Sequence, residues 1–287
     1  MNLKETANEI KELLYNRQKE IDLSFIEDTH TYYMRDVDGK LKTNFLSVST
    51  ILKSFYNKFI AENTQAFINC NGDKQLEKEL LDSWALSGTY STSMGSRVHY
   101  LLEQSVVSQY GSYKQVRKPI FECDDTQIRK GDAMVKAGNK YIDLMHERGA
   151  ILIDTEILLG DNILRYTGQP DKVWIILSKS GVPGLLITDW KTNKPEKMVP
   201  SFYTKKMLEP FTCLDDTALS HYFIQLPLYA RLILKMLENT KYADIKLLGC
   251  VVVHLNDNEE YTEYKTPMNV IETVLTMDLK KYVKNLA

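Results

Sequence analysis

Residues 166–194 read YTGQPDKVWIILSKSGVPGLLITDWKTNK. Within them KVWIIL and GLLITDW are short runs rich in β-branched and aromatic residues, and the intervening SKSGVPG is turn chemistry. The two runs predict an antiparallel pair of strands. Asp171 opens the first and Asp189 closes the second, so the pairing brings both carboxylates to one end of a sheet. Strand side chains alternate, which puts Asp189 and Lys191 on the same side and Trp190 opposite. Two carboxylates and a lysine converging there suit a hard divalent cation and a water nucleophile. The three-letter spacing alone is weak. An acid two residues before a lysine also occurs at Glu9/Lys11, Asp38/Lys40, Asp244/Lys246, Glu263/Lys265 and Asp278/Lys280. Asp189/Lys191 differs in closing a buried-looking strand and in following a Pro170-Asp171 step.

Working outward, ILIDTEILL and ILRYTG predict two earlier strands, punctuated by Gly160-Asp161-Asn162 and Gln169-Pro170. Ahead of them lie a helix over GSRVHYLLEQSVVSQY and a long helix from about Thr126 to Glu147. Downstream come a helix from about Asp216 to Leu237, the strand KLLGCVVVHL, a turn at Asn256-Asp257-Asn258, a short strand and a closing helix. The order α, β, β, β, α, β is that of an α/β fold, a mixed central β-sheet flanked by helices.

Residues 3–21 open the chain as an amphipathic helix, with Leu3, Ala7, Ile10, Leu14 and Ile21 at helical spacing. A hairpin is expected around Asp38-Gly39. Ser47 or Ser49 is placed to cap a helix over ILKSFYNKFIAEN, and another is expected from Lys74 to Leu86. SGTYSTSMGS (87–96) is small and polar and reads as a linker. The expected division is an N-terminal helix and hairpin extension, 1–94, and a core, 95–287.

The chain has 287 residues, 44% hydrophobic and 26% charged, with 36 Lys+Arg against 38 Asp+Glu. That composition excludes collagen-like, disordered and disulfide-scaffold classes. A net charge of -2 means that any nucleic-acid contact uses a local patch. No apolar run reaches the ~18 residues of a membrane span, and MNLKETANEIKE carries no signal-peptide pattern. Cys70, Cys123, Cys213 and Cys250 lie far apart without a CxxC, as small apolar residues of a reduced cytoplasmic protein.

Two helices add candidates. His99 and Glu103 fall one turn apart on one helix face, as do Gln225 and Tyr229. Taken singly, the histidine and the Gln225/Tyr229 pair read first as partly buried polar residues satisfied by a neighbour.

In combination, Gly95-x-x-x-His99, Glu156 on a strand, Gly168-x-Pro170-Asp171, Asp189-x-Lys191 and Gln225-x-x-x-Tyr229 resemble the RecB-like branch of the PD-(D/E)XK nucleases. The resemblance covers roughly residues 95–255. HTYYMRDVDGKLKTNFLSVSTILKSF looks like the N-terminal stretch of phage-encoded and mitochondrial genome maintenance single-strand exonucleases of this branch, with a serine inserted in Ser47-Val48-Ser49-Thr50-Ile51-Leu52. The resemblance implies a restriction-endonuclease-like core and a Mg²⁺- or Mn²⁺-dependent DNA exonuclease acting on single strands or DNA ends. It implies His99, Asp171, Asp189 and the Trp190 carbonyl as metal ligands. Lys191 would orient and help deprotonate the attacking water, and Glu156 would sit at the metal rim or just outside it. Gln225 and Tyr229 would position the DNA backbone or the lysine. Relatives with an iron–sulfur cluster carry a closely spaced C-terminal cysteine group that this chain lacks, so no cluster is expected.

Substrate grip is expected from Lys191, Lys194, Lys197, Lys205 and Lys206, opposed in sequence only by Glu196, with Phe202 and Tyr203 to stack unpaired bases. A solvated loop is the other reading of that run. Lys114, Arg117 and Lys118 form a second patch. A structure-specific or RNA-directed endonuclease, and a degenerate binder, stay open as alternatives. The intact Asp171/Asp189/Lys191 set speaks against the binder, which has no need of acids facing phosphate.

Overall fold

The computed structural model describes residues 2–26, 29, 31–110, 122–202 and 204–284. Helix α1 (Leu3–Glu20) starts where the Asn2 side chain accepts from the Lys4 N–H. A small meander follows, β1 (Ser24–Ile26), β2 (Thr31–Arg35) and β3 (Leu41–Lys42), with the expected hairpin turn between β2 and β3. Then come β4 (Leu46–Ser47), α2 (Val48–Leu52), a 3-10 turn at Ala61–Asn63, α3 (Gln65–Ile68), α4 (Lys74–Tyr110) and α5 (Asp125–Glu147). The strands β5 (Ile151–Thr155), β6 (Leu159–Asp161), β7 (Tyr166–Gly168), β8 (Lys172–Leu177) and β9 (Pro183–Lys191) lead into α6 (Ala218–Met236). The last elements are β10 (Lys246–Leu255), β11 (Tyr261–Lys265), α7 (Met268–Thr276) and α8 (Lys280–Lys284).

The main sheet has the order β11-β10-β9-β8-β5, parallel only between β9 and β10. It is the mixed sheet expected, with α5 and the C-terminal half of α4 on one face and α1 and α6 on the other. Alternation along the strands makes both cores. Val173, Ile175, Leu185, Ile187, Cys250 and Val252 meet Ile10 and Leu14 of α1 and Ile224 and Leu228 of α6. Trp174, Trp190, Val251 and Val253 meet Val98 and Leu102 of α4 and Tyr141 of α5. A smaller sheet, β4-β7-β6, ties the segment before α2 to the body. Among the described residues no helix is long and apolar enough to cross a membrane.

Several elements differ from expectation. Residues 87–96 are not a linker, because α4 runs unbroken through them. Residues 87–92 are exposed, and the helix is anchored just beyond them: Met94, Val98, Leu102 and Val106 are buried at four-residue spacing, and Gln127 donates to the Tyr90 carbonyl at 2.7 Å. Its hydroxyls turn inward on the helix, Thr89 to the Ala85 carbonyl and Ser91 to that of Ser87. The helix expected over ILKSFYNKFIAEN ends at Leu52, capped by Ser47, not Ser49. Beyond it the backbone is claimed from elsewhere: the Phe55 carbonyl accepts from Leu208, and the Asn57 N–H donates to Asp216. The run ILIDTEILL is two strands, with Glu156 in the turn between them at φ +47. The run ILRYTG is strand only from Tyr166, because Asp161 accepts from the Ile163 and Leu164 N–H groups and turns the chain. Gly160 and Asp161 themselves belong to β6, and two helices close the chain rather than one.

Candidate metal centre

Lys172 pairs with Thr188 across β8 and β9, so Asp171 and Asp189 arrive side by side at the sheet end, as the alternation requires. Both carboxylates are buried. The Trp190 N–H donates to Asp171 Oδ2 at 2.6 Å, and Lys191 makes an ion pair with Asp189 Oδ2. From α4, His99 brings Nδ1 to 3.2 Å from Asp171 Oδ1 and 3.8 Å from Glu156 Oε1. His99, Glu156 and Asp171 each offer one ligand atom, all within 4.8 Å of one another. Glu156 reaches this position through its turn, not from a strand. Its N–H and the Thr155 hydroxyl both donate to the Asp171 carbonyl, at 3.0 and 2.8 Å, and Gln169 donates to the Glu156 carbonyl. The two acids are thereby fixed to each other by backbone.

Electrostatics follow from burial of so many charges. Burial works against a charged His99, but Asp171 first and Glu156 next outweigh it and move the imidazole up to about 10. Burial likewise opposes ionisation of Asp171, yet His99, Lys191 and Lys172 hold its carboxyl well below the usual range. Asp189 goes up, from burial and then the Asp171 charge, with Lys191 opposing. Lys191 rises despite burial because Asp189 and Asp171 favour its ammonium. The site is an acidic cluster whose neutralising charge is borne by protein cations. One imidazole nitrogen and carboxylate oxygens within reach of one another suit a divalent metal ion. Asp171 Oδ1 faces His99 while Oδ2 is taken by the Trp190 N–H.

Gln225 donates to the Tyr229 hydroxyl at 2.8 Å, so these two satisfy each other. Tyr229 is also buried against the site: burial, then Asp189, Asp171 and Glu156, push its phenol well up. Its ring explains Gly168. A Cβ there would fall 2.6 Å from Tyr229 Cδ1 and 2.9 Å from Val48 Cγ2. Gly95 likewise sits where a Cβ would come 3.2 Å from Thr192 Oγ1, which lets α4 approach the end of β9.

The Trp190 side chain lies on the opposite face, edge-on to Tyr141, leaving only its peptide at the cluster. Lys194 and Lys205 are exposed, and Phe202 is 96% exposed. Lys206 is opposed by an acid that its own stretch of sequence does not show, Asp215 at 2.8 Å. Tyr203 lies outside the described residues, as do Lys114, Arg117 and Lys118. Four polar neighbours escaped the sequence reading. Lys172 is buried with Nζ 2.8 Å from Thr155 Oγ1 and 5.3 Å from the centre of a Trp190 ring. Tyr222, Asn193 and His254 surround Lys191 and its exit from β9. Signals existed: Tyr222 is three residues before Gln225 on one helix, and His254 interrupts an apolar strand at the parity of Cys250 and Val252.

No family model and no curated protein matches the chain. Among solved structures, the crystal structure of SSO0001 is similar at TM-score 0.27 and 16% identity, over 68% of this chain and 75% of that one. An alkaline exonuclease, LHK-Exo from Laribacter hongkongensis, is similar at TM-score 0.29 and 14% identity, over 70% of this chain and 92% of that one. Its complex with dAMP gives the same figures. These likenesses are weak.

Proposed function

We propose that this chain is a Mg²⁺- or Mn²⁺-dependent deoxyribonuclease that hydrolyses single-stranded DNA or frayed ends from a terminus, in the cytoplasm, in DNA replication, recombination or repair. The supporting observation is the meeting of His99, Glu156 and Asp171 within 4.8 Å, beside the Asp189–Lys191 pair at one sheet end. A binding module gains nothing from buried acids facing phosphate. His99, Asp171, Asp189 and the Trp190 carbonyl would hold the ion, with Glu156 at its rim. When bound, such an ion lowers the pKa of a coordinated water and offsets charge on the scissile phosphate. Paired with Asp189, Lys191 orients the attacking water and balances charge on the phosphorane, and the proton the water loses passes to solvent. Gln225 and Tyr229 act as a unit behind the carboxylates. Lys194, Lys205 and Lys206, with Phe202 and Tyr203, supply phosphate contacts and stacking along the strand. Residues 1–94 help to enclose it.

Enclosure and chemistry are tested together. Linear and covalently closed circular single-stranded DNA are incubated with Mg²⁺ or Mn²⁺, and with Ca²⁺ as a control that supports binding but little turnover. The linear form is expected to be degraded and the circle spared; equal rates on both would replace threading by endonucleolytic cutting. Asp189→Ala or Lys191→Ala should each cost 10²-fold or more, about the usual loss for such groups, while DNA binding persists. Retention of more than about a tenth of the activity in either variant would remove the site assignment.

A further inference from the structure

Lys191 has a support that the acidic cluster does not include. Leu185, Ile187, Asp189 and Lys191 share one face of β9, and Cys250, Val252 and His254 lie beside them on parallel β10, with His254 in register with Lys191. Tyr222 comes down from α6 onto the same face. The Lys191 ammonium lies 4.4 Å from the centre of the Tyr222 ring. The Tyr222 hydroxyl donates to Asn193 Oδ1 at 2.8 Å, and His254 Nε2 donates to the Asn193 carbonyl at 2.6 Å. Two residues beyond Lys191 the chain is therefore held by side chain and backbone at once. His254 is buried at the end of an apolar strand, a costly place for an imidazole without a hydrogen-bond partner. A lysine side chain has large rotamer freedom, and an aromatic face with an adjacent carboxylate confines it before substrate arrives.

We propose that Tyr222 and His254 are positioning residues for Lys191: the tyrosine ring seats the ammonium, and His254, through the Asn193 carbonyl, fixes the backbone that carries it. This rests on the hydrolytic reading of Asp171, Asp189 and Lys191.

The experiment pairs steady-state kinetics on a linear single-stranded oligonucleotide with Mn²⁺ and lysine side-chain NMR of ε-¹³C-labelled protein. The Lys191 resonance is assigned by its disappearance in Lys191→Arg. Tyr222→Leu is expected to lower kcat by about 10- to 100-fold with KM within about twofold, and His254→Val to lower kcat in the same sense. Tyr222→Phe, which keeps the ring face, should recover most of kcat. The Lys191 resonance should be ring-shifted upfield in wild type and Tyr222→Phe and return to its ordinary position in Tyr222→Leu. An unchanged kcat in Tyr222→Leu, or a Lys191 resonance that ignores the loss of the ring, overturns the proposal. Should Tyr222→Leu fail to fold, Tyr222→Phe decides it: near-wild-type kcat with the shifted resonance supports the seat, and a kcat as low as that of Lys191→Ala overturns it. A wild-type protein that cleaves nothing with either metal removes the hydrolytic reading itself, whatever the NMR shows, and the positioning role with it.

Discussion

His99 holds a proton between two carboxylates, and that proton has consequences for stability and for metal binding. Its folded pKa, about 10, lies above the ordinary value of 6.5. The group therefore contributes stability that is fully present below pH 6.5 and lost as pH rises through about 10. Thermal unfolding of metal-free protein across this window should show the decline, and His99→Gln should flatten it. A divalent ion needs the neutral imidazole, so Mn²⁺ affinity measured by calorimetry should rise with pH over the same range, with proton release. A pH-independent affinity would return His99 to a structural hydrogen-bonding role.

Strands and helices act here by how closely they approach. Gly168 ends β7 against the Tyr229 ring of α6, where a side chain has no room. Gly168→Ala should destabilise by about 1–3 kcal/mol in chemical denaturation, as overpacking of a full site does. The same shift should disturb the Gln225–Tyr229 pair and lower activity by more than the stability loss explains at a temperature where the variant is folded. The loop after β9 tests differently. Lys205→Glu should weaken DNA binding and flatten its log–log salt dependence by about one unit if Lys205 meets one phosphate. Lys206 begins from an ion pair with Asp215, so its reversal also forfeits that contact.

Over the whole molecule, the N-terminal segment and the sheet share a core. Ile10 and Leu14 of α1 have no exposed surface and pack with strand and α6 residues, while Lys11 and Tyr15 reach the buried Asp154 of β5 at 3.3 and 2.7 Å. Leu14→Ala should cost about 2–5 kcal/mol, the range for emptying a buried leucine site. One cooperative transition, seen alike by fluorescence and far-UV circular dichroism, is the expected outcome. Two separated transitions, with only the smaller one shifted, would show that residues 1–94 fold apart from the rest.

Alternation and helical spacing were enough to read the α/β order, the β8–β9 pair, the meeting of Asp171 with Asp189, and the shared face of Asp189 and Lys191. These depend on which side of an element is apolar, and a chain states that locally. Glu156 in its left-handed turn, the unbroken α4, the early end of α2, the Lys206–Asp215 pair and the Tyr222–Asn193–His254 chain were decided by tertiary structure. In each, a backbone or polar group took its place from an atom distant in sequence: the Asp171 carbonyl for Glu156, buried packing on α5 and the sheet for α4, Asp216 and Leu208 for the segment after α2. Periodicity specifies the face that must be covered. The identity of what covers it, and the hydrogen bonds made there, exist only once the chain has folded.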